Sequence, residues 1–208
     1  MKKIMFNEPF GLQQATFDGV KGMTRRVIPQ CILDAVPQYQ EQYYAGALEH
    51  IEIDQAILNM VGPEKMFQQY VYQVGEIVAI AQNYEQARPD MNEQQREELT
   101  YADMKHLFYR KKKLPGFKNK MFVKAEWMPH HIKITCNKVE PLCGISDEDC
   151  LREGIIDTGS GYTCYRQGVL PLFRTPYAAF KALIDKLNRR GFFETNPLVF
   201  AYSYEIID

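Results

Sequence analysis

Residues 174–207 read RTPYAAFKALIDKLNRRGFFETNPLVFAYSYEII, and two periodicities meet in this stretch. Thr175 suits a helix cap, Pro176 suits the first turn, and Phe180, Leu183, Ile184 and Leu187 recur at helical spacing. Arg189 and Arg190 complement the C-terminal dipole, and Gly191 supplies a stop. After that stop the period changes to two. Leu198, Phe200, Tyr202, Tyr204 and Ile206 alternate with Val199, Ala201, Ser203 and Glu205, which predicts a strand with two unequal faces. A helix joined to a strand by a short turn, with no repeated β-α-β spacing elsewhere, points to a mixed α+β fold around a small curved sheet or barrel.

Working back towards the N-terminus, ISDEDCLREG (145–154) predicts a short helix that Gly154 ends. Ser146 and Asp149 there stand in the spacing of a capping box. HIKITCNKVEPL (131–142) and KMFVKAEWM (120–128) have strand composition, and DTGSGYTCYRQG (157–168) reads as a loop. YQVGEIVAIAQNY (72–84) predicts a buried strand after a turn at Gly75. The segment 89–113 predicts a helix with Asp90 or Asn92 near its start and cations at its end. In EIDQAILNMV (52–61), Ile53, Ala56, Ile57 and Met60 share a helical face, within a polar, Gln- and Tyr-rich region. NEPFGLQQATFDG (7–19) predicts a first helix capped by Asn7, with Pro9 in its first turn and Gly19 as its stop, and TRRVIP (24–29) a strand ended by Pro29.

Composition sets the outer limits. The chain has 208 residues, 46% hydrophobic and 25% charged, with 25 Lys and Arg against 26 Asp and Glu. These values fit a globular protein, and the formal charge of −1 neither requires nor excludes a local basic surface. One domain over 1–208 is expected, with insertions at about 30–70 and 85–118. No stretch approaches the ~18 to 20 apolar residues of a membrane span, and the start lacks a signal-peptide core, so a cytoplasmic protein without a membrane role is expected. The odd total of five cysteines, with no Cys-x-x-Cys, fits reduced thiols. Cys136, Cys143 and Cys150 recur every seven residues, but Pro141 and Gly144 interrupt any common helix, and the adjacent His130 and His131 would face opposite sides of a strand. Neither a metal site nor a cofactor is expected.

Charge is concentrated in two places. GVKGMTRR (19–26) sets Lys21, Thr24, Arg25 and Arg26 close together where a turn enters a strand, and an arginine fork there suits phosphate, with Gly22 allowing close backbone approach. The bland alternative is a basic turn held by carboxylates. From Lys105 to Lys124 the sequence has eight cations and no acid. Arg110, Lys111, Lys112, Lys113, Lys118 and Lys120 form a secondary basic patch interleaved with Phe108, Tyr109, Phe117 and Phe122. Rings beside cations suit single-stranded nucleic acid, although a solvated face explains the run equally well.

GVKGMTRR, YQVGEIVAI, KITCNKVEPLCGISDEDCLREGI and YAAFKALIDKLNRRGFFETNPLVFAYSYEI, taken in this order, resemble the ASCH family, whose fold is related to the PUA domain. The likeness covers roughly residues 4–28, 70–84 and 120–207 and leaves the two insertions aside. It implies a closed or nearly closed β-barrel with flanking helices, and a cleft beside the first helix that binds RNA or a nucleotide through Lys21, Thr24, Arg25, Arg26 and Lys133. One branch of the family hydrolyses the amide of N4-acetylcytidine with a lysine, a threonine three residues later and a glutamate on a later strand. Lys21 and Thr24 match its first two groups as catalytic candidates, for hydrolysis of a modified nucleoside or, as a ribonuclease, of RNA. The glutamate position falls at Lys133, a cation, which favours phosphate binding over hydrolysis unless Glu126 or Glu140 reaches the cleft. A protein-interaction role carried by the insertions is the third expectation.

Overall fold

The computed structural model describes residues 1–46, 52–62, 65 and 67–207. Residues 47–51, 63, 64 and 66 of the expected first insertion lie outside the described residues, as does 208. In chain order the elements begin with β1 (Lys2–Ile4), α1 (Leu12–Phe17), β2 (Met23–Val27), α2 (Gln30–Gly46), α3 (Ile53–Val61), β3 (Ile77–Ile80) and α4 (Tyr84–Ala87). They continue with α5 (Glu93–Arg110), β4 (His131–Pro141), α6 (Asp147–Arg152), β5 (Ile155–Asp157), β6 (Tyr162–Cys164), α7 (Pro176–Leu187) and β7 (Leu198–Ile206). The class is α+β. Five strands follow the hydrogen-bonded order β1-β3-β4-β7-β2, and β5 pairs with β6 apart from them. Because β1 and β2 end that order rather than meeting, the sheet is open, and the expected closed barrel is corrected.

The chain forms two compact units. The first comprises Met1–Asn7, Ile77–Lys133 and Ile206–Asp208. Here β1 runs parallel to β3, with Lys3 opposite Ala79, and β3 runs antiparallel to β4, with Val78 opposite Ile132. Val78, Ala79 and Ile80 are all buried, so β3 is covered on both faces as its unbroken apolar run implies. Tyr84, Met91, Leu99, Val123, Trp127 and Met128 belong to one core cluster. α5 starts with a reciprocal capping box between Asn92 and Gln95 and closes at Lys111 in the left-handed region (φ 54°). Only Leu99 of this 18-residue helix is buried. Gly116 is required by space: a Cβ there would lie 2.2 Å from the Tyr84 ring.

KMFVKAEWM does not form the expected strand. It makes two 3-10 turns, Lys120–Phe122 and Ala125–Trp127. Side chains, rather than a neighbouring strand, take up its backbone groups. Lys3 Nζ donates to the carbonyls of Met121 and Val123 at 2.6 Å each, and Lys124 N donates to the Tyr84 hydroxyl at 3.1 Å.

The second unit comprises Glu8–Glu76 and Ile134–Glu205. β2 and β7 are antiparallel, with Thr24 opposite Tyr202 and Arg25 opposite Ala201. Val199, Phe200, Ala201 and Tyr202 are all buried, so the first half of β7 is covered on both sides and the expected unequal faces emerge only near Glu205. α7 has the expected Thr175 cap, and Phe180 and Leu183 are fully buried. Three local expectations change. α1 begins at Leu12, not near Asn7, because Gly11 takes the N-cap position at φ 76°, where a Cβ would sit 2.8 Å from the Arg166 nitrogen. Residues 162–164 form β6, paired with β5, in place of the expected loop. The Gln-rich stretch after Pro29 is helical through Gly46, with Pro37 inside it, and Ile53 of α3 faces solvent while Ala56, Ile57 and Met60 are buried.

Candidate functional site

α1 hands the chain to Lys21 through a tight turn. Gly19 has φ 71°, and the amides of Val20 and Lys21 both donate to the Ala15 carbonyl. Gly22 is held by the protein itself: its N–H donates to the Arg152 carbonyl and its carbonyl accepts from Tyr204 N, both at 3.0 Å. The turn therefore aims Lys21 inward, where it is 3% exposed. Its ammonium donates to Met23 O at 2.6 Å, Glu153 O at 2.8 Å and Glu153 Oε2 at 2.6 Å. Three protons meet three acceptors.

Arg25 is equally surrounded. Nε and Nη2 donate to Glu140 Oε1 at 2.9 and 2.6 Å, Nη2 also to Asp149 Oδ2 at 2.9 Å, and Nη1 to Glu153 Oε1 at 3.1 Å. Lys138 closes the outer side, 2.8 Å from Glu140 Oε2. Lys21, Arg25 and Lys138 thus face Glu140, Asp149 and Glu153, and Arg152 approaches Asp149 at 3.8 Å from the outside. Burial lowers the Lys21 pKa, and the adjacent Glu153 carboxylate offsets part of that shift. For Arg25, burial pulls downward but is outweighed by Glu153, Glu140 and Asp149, so its pKa rises. Lys138 is raised by its hydrogen bond to Glu140.

Asp149 does not reciprocate the capping box with Ser146. Ser146 caps the Asp149 amide, but the Asp149 carboxylate turns to Arg25. Glu140, one of the two glutamates considered for the cleft, joins this network; Glu126 belongs to the first unit, 3.7 Å from the Met1 amino group. Lys133 also belongs to the first unit, exposed on β4 opposite Ile77, and the carboxylate beside Lys21 comes from Glu153. Thr24 is buried and Arg26 exposed, both on the β2 face opposite to Arg25. Sequence reasoning missed Asp149 as an ion-pair partner and Glu153 altogether. Their i, i+4 spacing, which puts two acids on one helical face, was the available signal.

The second concentration of charge behaves differently. Arg110, Lys111, Lys112, Lys113 and Lys118 are all exposed. Lys120 is an exception, since its ammonium donates to the Phe6 carbonyl at 2.5 Å and ties down the chain. Of the interleaved rings, Phe117 packs against Tyr84 in the core, whereas Phe108 and Tyr109 are each 70% exposed. Alongside α5 runs a groove of about 510 Å³ whose walls include Tyr101, Lys105, Tyr109, Arg110, Lys124 and Trp127. Glu98 also lines it, but its carboxylate accepts from Trp127 Nε1 at 2.9 Å, and Lys124 Nζ sits 4.2 Å above the same indole. The floor is apolar, and the rim carries cations and two exposed phenols.

Among the described residues, no group of three or more His, Cys, Asp or Glu is arranged to hold a metal, and no helix is long and apolar enough to cross a membrane. All five cysteines are free thiols. No family model, curated protein or solved structure matches the chain.

Proposed function

We propose that this is a cytoplasmic RNA- or nucleotide-binding protein of the ASCH type, a PUA-like variant with an open sheet, and that its ligand lies in the groove beside α5. The groove itself carries this reading: about 510 Å³ of concave surface with Lys105, Arg110 and Lys124 beside the exposed rings of Tyr101 and Tyr109. Bases can stack on the phenols while phosphates meet the cations, a combination tolerant of sequence. GVKGMTRR is then chiefly a structural node, because Lys21 and Arg25 already face carboxylates.

The experiment is a titration with short single-stranded RNA at low and moderate salt. Binding that weakens with salt, and weakens further in Lys105→Ala/Arg110→Ala/Lys124→Ala, supports the groove. Absence of binding at low salt overturns the reading.

A hydrolase reading retains one specific observation, the Glu153 carboxylate 2.6 Å from a buried lysine of lowered pKa. A Lys21, Thr24 and Glu153 centre requires turnover of an acylated cytidine, lost in Thr24→Val. Unchanged turnover in that variant eliminates it.

A further inference from the structure

α5 has a second face that meets the groove only at Tyr101. Glu97, Tyr101, Met104 and Phe108 follow one another at spacings of four, three and four, which sets them in a seam along one side of the helix, and Lys111 closes its end. Tyr101 is 70%, Met104 65% and Phe108 70% exposed. Leu99, the buried residue of the helix, lies on the opposite side of this seam. Three large apolar side chains in a row on a helix are more than scattered surface residues, and they resemble the anchors of helix pairing.

The charges on the same helix identify the partner. Its first half carries Glu93, Glu97 and Glu98 beside one cation, Arg96, which donates to the Met91 and Pro89 carbonyls. Its second half carries Lys105 and Arg110, with Asp103 accepting from Leu114 N, and Lys111, Lys112 and Lys113 follow at its end. Two copies laid parallel would set acid on acid and cation on cation. Laid antiparallel about a two-fold axis near Met104, they place Glu97 of one copy against the lysines at 111–113 of the other, and Tyr101 against Phe108. Such a self-complementary contact is what a two-fold interface requires. We propose that a second copy of this chain docks antiparallel along the Tyr101–Met104–Phe108 face of α5, giving a homodimer held by an apolar seam with charged ends. The residues that line only the groove, among them Lys105 and Tyr109, lie on the neighbouring side of the helix, so this contact and the groove share Tyr101 alone.

Sedimentation equilibrium of nuclease-treated full-length protein, at micromolar to submillimolar concentration, tests the proposal. The wild type is expected to dimerise reversibly. Met104→Ser/Phe108→Ser is expected to be monomeric with an unchanged circular-dichroism spectrum. Reversing one charge, Glu97→Lys or Lys112→Glu, sets like charges opposite and weakens the dimer roughly tenfold, whereas both reversals in one chain restore it. A wild type that stays monomeric throughout overturns the proposal. So does a dimer that ignores the Met104 and Phe108 changes, or one that the double reversal fails to rescue. RNA binding by the monomeric variant separates failure here from failure of the groove reading.

Discussion

Two regions rich in cations meet opposite fates in this chain. Lys21 and Arg25 lie in the second unit at 3% and 9% exposure, and Glu140, Asp149 and Glu153 oppose them. Arg110, Lys111, Lys112 and Lys113 lie in the first unit, exposed at the end of a helix that buries one residue. The side chains are of the same types; the environments differ. A buried cation requires a matching anion, because desolvation is severe unless charge and hydrogen bonds are both satisfied. An exposed cation needs none and remains available to a ligand. Cationic residue type therefore marks a binding surface only where burial does not already demand a partner.

The largest expected effect tests the buried side of this contrast. Arg25→Leu puts an apolar group in place of the buried cation that Glu140, Asp149 and Glu153 share and is expected to lower the unfolding free energy by about 3–5 kcal/mol, measured by denaturant titration. Glu153→Gln, which leaves Lys21 and Arg25 short of one charge, is expected to fall in the same range. Arg25→Lys keeps the charge but cannot reach both Glu140 and Asp149 with one fork, so it should recover part of the loss. If any of these variants stays fully stable yet loses RNA, Arg25 is a ligand contact and the contrast collapses.

Next comes the exposed side. Tyr109→Ala removes a ring that is 70% exposed and is expected to weaken single-stranded RNA binding by about 1–3 kcal/mol per stacked base while leaving stability within about 0.5 kcal/mol. Lys105→Ala/Arg110→Ala/Lys124→Ala is expected to reduce the slope of log affinity against log salt by about 2, since each neutralised phosphate contributes about 0.7 on a single strand. A steep slope that survives the triple change would move the phosphate contacts elsewhere.

Which of these features could be read from the chain follows from the range of the interactions. Thr175, Pro176 and Phe180 announced α7, and Asn92 announced α5, because caps and periodicity act within a few residues. Gly11 was misread as lying inside a helix since its role depends on Arg166, far along the sequence and adjacent in space. The strand expected at KMFVKAEWM failed for the same reason: Lys3 supplies the donors that a neighbouring strand would have given. At the cation pair, Lys21 and Arg25 were found as chemistry, but their partners are separated from them by more than a hundred residues and their neutralisation could not be counted. The basic run was legible as a run; that Lys120 anchors backbone while Tyr109 stands free of the core required the fold.

The smallest expected effect concerns the rim of the buried network, where the contrast becomes gradual. Lys138 is about half exposed at 47%, 2.8 Å from Glu140 and 3.6 Å from Asp149, so at neutral pH Lys138→Gln is expected to reduce stability by less than about 1 kcal/mol. Its sign with pH separates it from Lys21. The folded-state pKa of Lys138 is raised above its ordinary 10.5, so its stabilisation is complete below that value and lost as pH climbs through the folded one. Lys21 is lowered below 10.5, so in the interval below that value the unfolded chain holds more protons and rising pH adds stability. In unfolding free energies measured between pH 8 and pH 11, Lys21 therefore adds a rise below pH 10.5 and Lys138 a fall above it. Both are superimposed on the falls that the raised pKa values of Cys150, Tyr202 and Tyr204 bring as pH climbs past their ordinary 9.0 and 10.0. Lys138→Gln should reduce the later fall and leave the earlier rise intact. Loss of the rise in that variant would mean that the two lysines share one titration, and that the boundary between the buried pair and its rim has been drawn in the wrong place.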